Sequence, residues 1–206
     1  MRTYNPYRIV RDLEDAISEY TGAPYVVTVN SCTMALLLAV KWYLKWYDVR
    51  EIEIPKYTYV SVPMSILHAG CKKVKFRDES WLGLYQLSPL PVYDSARLFT
   101  NGMYNDYYGA MLCVSFHATK VLGDTQGGAI LLDDADAYAW LKRMRFDGRT
   151  EGVAPKSDRF TDIGYHCYMS PDVAARLLHR LCILPKDNLP LPNDDYADLS
   201  MLEIFK

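Results

Sequence analysis

The chain has 206 residues, 50% of them hydrophobic and 23% charged, enough length and apolar content to bury one core without disulfide or metal staples. A net charge of −2, with no run of Lys and Arg, offers no general attraction to nucleic acid or to an anionic membrane. Five cysteines, odd in number and without a C-x-x-C pair, argue against a zinc site or a disulfide framework and for a reduced, cytoplasmic protein.

The opening "MRTYNPYRIVRDLEDAI" carries acids where a signal peptide needs an apolar stretch. The most apolar window, "MALLLAVKWYLKWY", holds two lysines and is too short to span a bilayer, so no membrane address is expected. Within that opening, "IVRDLEDAISEYTG" has apolar residues at helical spacing and stops at Gly22. "YVVTVN" is a short β-branched strand, and "SCTMALLLAVKWYLKWY" is a helix opened by Ser31 and Thr33. "EIEIP" is a strand, "YVSVPMSILHAG" a helix, and "KKVKF", "LPVYD", "AMLCVSF" and "GGAILLD" four further strands. "DADAYAWLKRMRF" and "SPDVAARLLHRL" close the series as helices, the second with Ser170 as cap and Pro171 at its first position. Strands alternating with helices predict an α/β fold of three layers around a mixed, mostly parallel sheet. Residues 1–184 read as one domain and the Pro- and Asp-rich residues 185–206 as a C-terminal tail or an arm for a partner.

In such folds ligands collect at the carboxyl ends of strands and at the helix starts beside them. Four features fall there. "VNSCTMALL" runs from strand into helix, where free amides and hydroxyls suit a phosphate. "PKYTYVSVP" sets Tyr57 and Tyr59 after a strand, an aromatic face for a flat heteroaromatic ring. "PVYDSARLF" ends a strand on Asp94, a carboxylate in need of a cation or several donors. "VSFHATKVLGDTQGG" carries Lys120 off a buried strand, where partial desolvation makes an amine a nucleophile toward an aldehyde. Singly, these are a helix cap, structural tyrosines, a turn cap and a surface lysine. Together they match pyridoxal 5′-phosphate, which needs a lysine for its aldehyde, a carboxylate for its ring nitrogen, a covering face and an anion cradle. No metal is called for.

The same segments resemble, in order, the DegT/DnrJ/EryC1/StrS family of sugar aminotransferases. "VNSCTMALLLAV" is similar to that family's N-S-G-T-x-A-L turn, "IEIPKYTYVSVPMSILHAGCKKVKFRD" to its P-x-x-T-[FWY]-V…A-G-x-x-P-V-F-x-D, and "VYDSARLF" to its E-D-A-A-[QH]. "VSFHATKVLGDTQGGAILLDD" resembles F-S-F-x-x-x-K…G-x-G-G, the most specific match, while "MRFDGR" and "GYHCYMSPDVAARLL" resemble L-R-x-H-G and G-x-N-x-R-M-x-E-x-x-A-A. The resemblance implies the large domain of fold type I transferases and a homodimer with active sites shared across the interface. It also implies transfer of an amino group from a glutamate-like donor to a keto-sugar nucleotide or another small carbonyl compound.

By position, the resemblance makes Lys120 the residue that condenses with the cofactor and then shuttles a proton, and Asp94 the partner of the pyridinium. Tyr59 would stack on the ring, and Ser115 with Ser31, Cys32 and Thr33 would hold the phosphate. Arg97 stands for the family's Gln or His and would bring positive charge. His166 stands for the Asn sent from the neighbouring subunit, and Tyr168 for the Arg after it. Cys32 replaces the family's Gly in the phosphate turn. A strand–helix unit between "KFRDES" and "LPVYD" is missing, and so is the family's small domain. Retention of Lys120 separates the chain from the variant that dehydrates sugars and lacks this lysine. The alternative is a non-catalytic relative that keeps the fold as a binding or regulatory module.

Overall fold

The computed structural model describes residue 5, residues 7–192 and residues 195–205. Helix α1 (Arg8–Thr21) forms because Val10, Leu13 and Ile17 recur on one face, and it ends where Gly22 turns left-handed at φ +80°. Strand β1 (Tyr25–Val29) leads into α2 (Cys32–Trp46), whose first turn is capped by the Ser31 hydroxyl accepting from the Met34 amide at 3.3 Å. Then follow β2 (Glu51–Pro55), α3 (Ser61–His68), β3 (Lys73–Arg77), β4 (Tyr85–Gln86), β5 (Val92–Asp94), β6 (Met111–Ser115) and β7 (Gly128–Leu132). Helix α4 (Ala135–Met144) is capped by the Asp134 carboxylate, and α5 (Pro171–Cys182) begins on Pro171, as its sequence predicts.

The main sheet runs β1-β7-β6-β5-β4, and β2 and β3 form a separate parallel pair. The sheet is mixed, but less parallel than the strand runs suggest: only β5 and β6 are parallel, while β1/β7, β6/β7 and β4/β5 are antiparallel. The reason lies in the connections. Residues 87–91 and 116–127 join neighbouring strands without a crossover helix, and a short link favours an antiparallel return. Strand β4 itself comes from "LGLYQLSPL", the stretch left where the missing strand–helix unit would be expected.

Both sheet faces are covered, which makes three layers. Along β6, Met111 and Cys113 face a core with Leu36 of α2, Ile66 of α3 and Leu141 of α4. Leu112 and Val114 face a second core with Leu13 and Ile17 of α1 and Leu177 of α5. This two-sided burial explains why β6 and β7 read as unbroken apolar runs. α1 is also tied to α4 by charge: buried Arg145 donates to Glu14 Oε1 and to the Thr28 carbonyl, and Lys142 meets Glu14 Oε2 at 2.9 Å.

The Pro- and Asp-rich end packs on its own chain. The Leu191 amide donates to the Arg97 carbonyl at 2.8 Å, the Leu199 amide donates to the Lys56 carbonyl, and Leu199 is buried. Among the described residues no helix is long and apolar enough to cross a membrane, and no group of three or more His, Cys, Asp or Glu is placed to hold a metal ion.

Candidate active site

A cavity of about 340 Å³ opens at the carboxyl ends of β5 and β6 beside the start of α2. Its wall contains Ser31, Cys32, Thr33, Tyr59, Asp94, Arg97, Ser115 and Lys120, eight of the nine residues singled out in the sequence. The ninth, His166, lies outside it: His166 is exposed and its Nδ1 sits 3.0 Å from the Asp147 carboxylate. A second cavity of about 370 Å³, between α1 and residues 145–153, holds neither Lys120 nor Asp94.

Lys120 is carried by the loop between β6 and β7. The loop is closed at its base, because the Phe116 amide donates to the Gly127 carbonyl and the Asp124 amide to the Phe116 carbonyl, both at 2.9 Å. The Lys120 amide then donates to the His117 carbonyl at 2.8 Å, a tight turn that brings the side chain back to the sheet end. Partial burial and then the Arg97 charge push the Lys120 ammonium below the usual lysine range, with Asp94 acting against them. The loop is anchored from behind by Asp124, a buried carboxylate that receives three hydrogen bonds from Arg176 of α5 at 2.8–3.1 Å.

Asp94 is buried at the end of β5. One oxygen accepts from the Ala96 amide at 2.9 Å and the other from the Tyr85 hydroxyl at 2.9 Å. Tyr85 stands directly opposite Asp94 across the β4/β5 pair, and its hydroxyl lies 2.6 Å from that of Thr58. Because Tyr85 gives its proton to Asp94, Thr58 is the donor to Tyr85. Burial raises the Asp94 carboxyl, and these donors, with Lys120 and Arg97 at longer range, only partly offset the rise. Both direct donors are neutral. A cationic N–H placed against Asp94 would therefore be strongly favoured.

The anion cradle is built from backbone. Of the amides at the start of α2 that the helix itself cannot satisfy, the Ser31 hydroxyl takes that of Met34, and Ala35 makes the first regular helical bond to the Ser31 carbonyl, leaving those of Cys32 and Thr33 without a partner inside the helix. Hydroxyls of Thr33 and Ser61 meet at 2.8 Å beside them, and Ser115 closes the floor. The helix start can lie this low because residue 128 is glycine: a Cβ there would stand 2.5 Å from the Cys32 nitrogen. Gly127, at φ +141°, makes the turn into β7. Cys32 does not fill the cradle, since its thiol turns away and donates to the Cys113 carbonyl. The donor set thus fits pyridoxal 5′-phosphate, with amides and hydroxyls for its phosphate, Asp94 for its ring nitrogen and Lys120 for its aldehyde.

Trp81, Asp195 and Tyr196 are among the wall residues that have no counterpart in the expectations from sequence. Trp81 packs edge-on against Tyr85, with ring centres 4.6 Å apart, and parallel to Tyr196 at 6.2 Å. Tyr196 faces Tyr59 at 6.5 Å, and with Asp195 it brings the C-terminal segment into the mouth of the cavity. Arg97 is turned to that segment: Nε donates to the Tyr196 hydroxyl at 3.0 Å, one terminal nitrogen to the Pro192 carbonyl, and the other to Asp195 at 2.5 Å. Tyr57 does not reach the cavity; its carbonyl accepts from the Trp81 indole at 2.8 Å.

The chain belongs to the DegT/DnrJ/EryC1/StrS aminotransferase family, whose model matches residues 2–78 and 101–188. The interval between those matches contains Asp94, so this residue rests on geometry rather than on the family pattern. Solved structures share the fold. AtS13 from Actinomadura melliaura superposes at TM-score 0.70 with 19% identity, over 85% of this chain and 60% of that one. The aminotransferase PseC of Helicobacter pylori, involved in pseudoaminic acid biosynthesis, gives 0.68 and 18%, over 89% and 59%. The sugar aminotransferase CalS13 from Micromonospora echinospora gives 0.66 and 19%, over 84% and 61%. The chain therefore spans about 60% of the length of the structures it resembles. A search of the curated proteins gave no match.

Proposed function

We propose that this chain is a pyridoxal 5′-phosphate-dependent aminotransferase that takes an amino group from a glutamate-like amino acid and passes it to a keto-sugar nucleotide or another small carbonyl compound. The observation that carries the reading is the meeting of Lys120, from the loop after β6, and Asp94, from the end of β5, in one cavity floored by the free amides of α2. When bound, the cofactor supplies an aldehyde for an amine and an electron-poor ring that holds the electron pair released at a substrate's α-carbon. Lys120, with its ammonium destabilised by burial and by Arg97, is the residue whose free amine would hold the cofactor through that aldehyde. The same Nζ, when free, would serve as the group that moves a proton at a substrate's α-carbon. Asp94, steadied by Tyr85 and Ala96, keeps a proton on the ring nitrogen. Tyr59 would cover the ring, while Ser31, Cys32, Thr33 and Ser115, which line the same cavity, would hold the phosphate.

The test is spectroscopic. Protein mixed with cofactor is expected to develop a visible band that borohydride bleaches, with the reduced adduct on Lys120 by mass spectrometry, and glutamate should convert the band. Lack of the band, or its persistence in Lys120→Ala, would refute cofactor attachment.

A second reading, a binding or regulatory module, is favoured by one observation: Asp195 and Tyr196 already stand in the cavity mouth. A band that forms but never responds to glutamate or other amino donors would select it. A homodimer working in the cytoplasm remains part of the first reading. His166, which lies outside its own chain's cavity, is then available to a partner's site, and sedimentation of a monomer only would remove that role.

A further inference from the structure

Arg97 is held in an unusual way for a cavity arginine. Its side chain is only 11% exposed, yet the carboxylate it pairs with, Asp195, is 68% exposed. The guanidinium carbon lies 4.5 Å from the centre of the Tyr196 ring, and the Tyr196 hydroxyl takes Nε. The cation is thus fixed in the wall, while its anion comes from a segment that reaches in from solvent. Arg97 and Lys120 are the cavity's only lysine or arginine side chains among the described residues. Outside the amides and hydroxyls of the cradle, an anionic group carried to Lys120 by a substrate finds its fixed cation in Arg97.

We propose that Arg97 is the receptor for the carboxylate of the amino donor and that Asp195 occupies this place from within the chain until the donor displaces it. This rests on the aminotransferase reading and adds to it the residue that selects the donor. An arginine fork matches a carboxylate with two parallel hydrogen bonds, and the Tyr196 ring at 4.5 Å steadies the cation beside it. Asp195 also lies close enough to Lys120 to act on its charge, the relation a donor's carboxylate must have to the amine its own nitrogen replaces. A carboxylate that stays in contact with solvent while it pairs is a weak competitor, so Asp195 tunes the affinity rather than closing the site.

The experiment uses cofactor-free protein and glutarate, a dicarboxylate with no amine to react, followed by calorimetry. Asp195→Asn is expected to bind glutarate about two- to fivefold more tightly, in line with the strength of an exposed ion pair. Arg97→Gln should bind roughly tenfold more weakly or worse, and the double variant should show no gain from the Asn. Asp195→Ala and Arg97→Lys serve as second variants should either first choice fail to fold, with Lys retaining part of the affinity. Unchanged affinity in Asp195→Asn, or a gain that survives loss of Arg97, overturns the proposal. So does a gain seen with pyrophosphate but not glutarate, which would assign Arg97 to a nucleotide acceptor instead. Because no cofactor is present, failure to form the visible band would sink the enzyme reading while leaving this measurement intact.

Discussion

Gly128 lies under the first peptide of α2 so closely that a methyl group on it would stand 2.5 Å from the nitrogen of Cys32. The contact is backbone on backbone, so no side chain can swing aside to relieve it. Gly128→Ala must lift the start of α2 and with it the amides of Cys32 and Thr33. We expect a loss of about 1–3 kcal/mol in stability, as for other overpacked sites, together with a larger loss of cofactor affinity. Thermal unfolding and equilibrium dialysis of the cofactor read the two separately. A variant with wild-type affinity would mean that the cradle is not where the phosphate binds.

The Asp94 carboxylate depends on a strand of two residues. Tyr85→Phe removes one donor and leaves the Ala96 amide, so a mild defect is expected. Asp94→Asn removes the charge and should slow the glutamate half-reaction roughly ten- to a hundredfold, the range of a hydrogen bond to a charged group. Stopped-flow spectra follow the rate and urea unfolding follows the fold. Equal destabilisation with an unchanged rate would make Asp94 a structural turn residue.

Much of this site is legible in the sequence, and the limits have physical causes. Ser31, Asp94 and Lys120 can be found because each ends or follows an apolar run, and the end of a strand is where an α/β fold exposes side chains. Tyr85 cannot be found this way. Its strand is too short for a period, and its partner lies across a hairpin at Ser88–Pro89. Strand direction is equally hidden: β6 and β7 look like parallel strands because both faces are buried, yet they run antiparallel. The end of the chain reads as a tail or as an arm for a partner because proline and aspartate mark exposed chain, while the anchors Leu199 and Tyr196 are single residues without a pattern. Arg97 shows the same gap, since its partners lie about a hundred residues away.

Asp124 and Arg176 give a test of how Lys120 is positioned. The pair ties the loop to α5, 4% of the Asp124 side chain is exposed, and Arg180 is a distant second cation at 3.9 Å. Arg176→Ala should therefore loosen the loop without touching the cavity. Reaction of Lys120 with the cofactor is expected to slow roughly tenfold, because small misplacements of a reacting group are costly. Its affinity for free phosphate should stay the same. Asp124→Asn in the same background should restore part of the rate by removing the unpaired charge. Equal effects on phosphate binding and on the Lys120 reaction would point to general unfolding instead.

The Glu14–Arg145 pair predicts how stability follows pH. Burial alone would raise the Glu14 carboxyl, but Arg145, Lys142 and the Thr28 amide outweigh it and hold the group below the usual carboxylate range. A carboxyl lowered by folding binds protons more readily in the unfolded chain. Its contribution is complete above the unfolded value, about 4.3, and falls away as pH drops through the folded one. Glu14→Gln at pH 7 leaves Arg145, which is 2% exposed, with Glu151 as its remaining anion. A loss of about 2–4 kcal/mol is expected, below that of a fully stranded buried charge. The difference between wild type and variant should narrow steadily from pH 5 downward in urea titrations. A gap that stays constant into acid would mean that folding does not lower the Glu14 carboxyl, and that its charge adds nothing to the joint between α1 and α4.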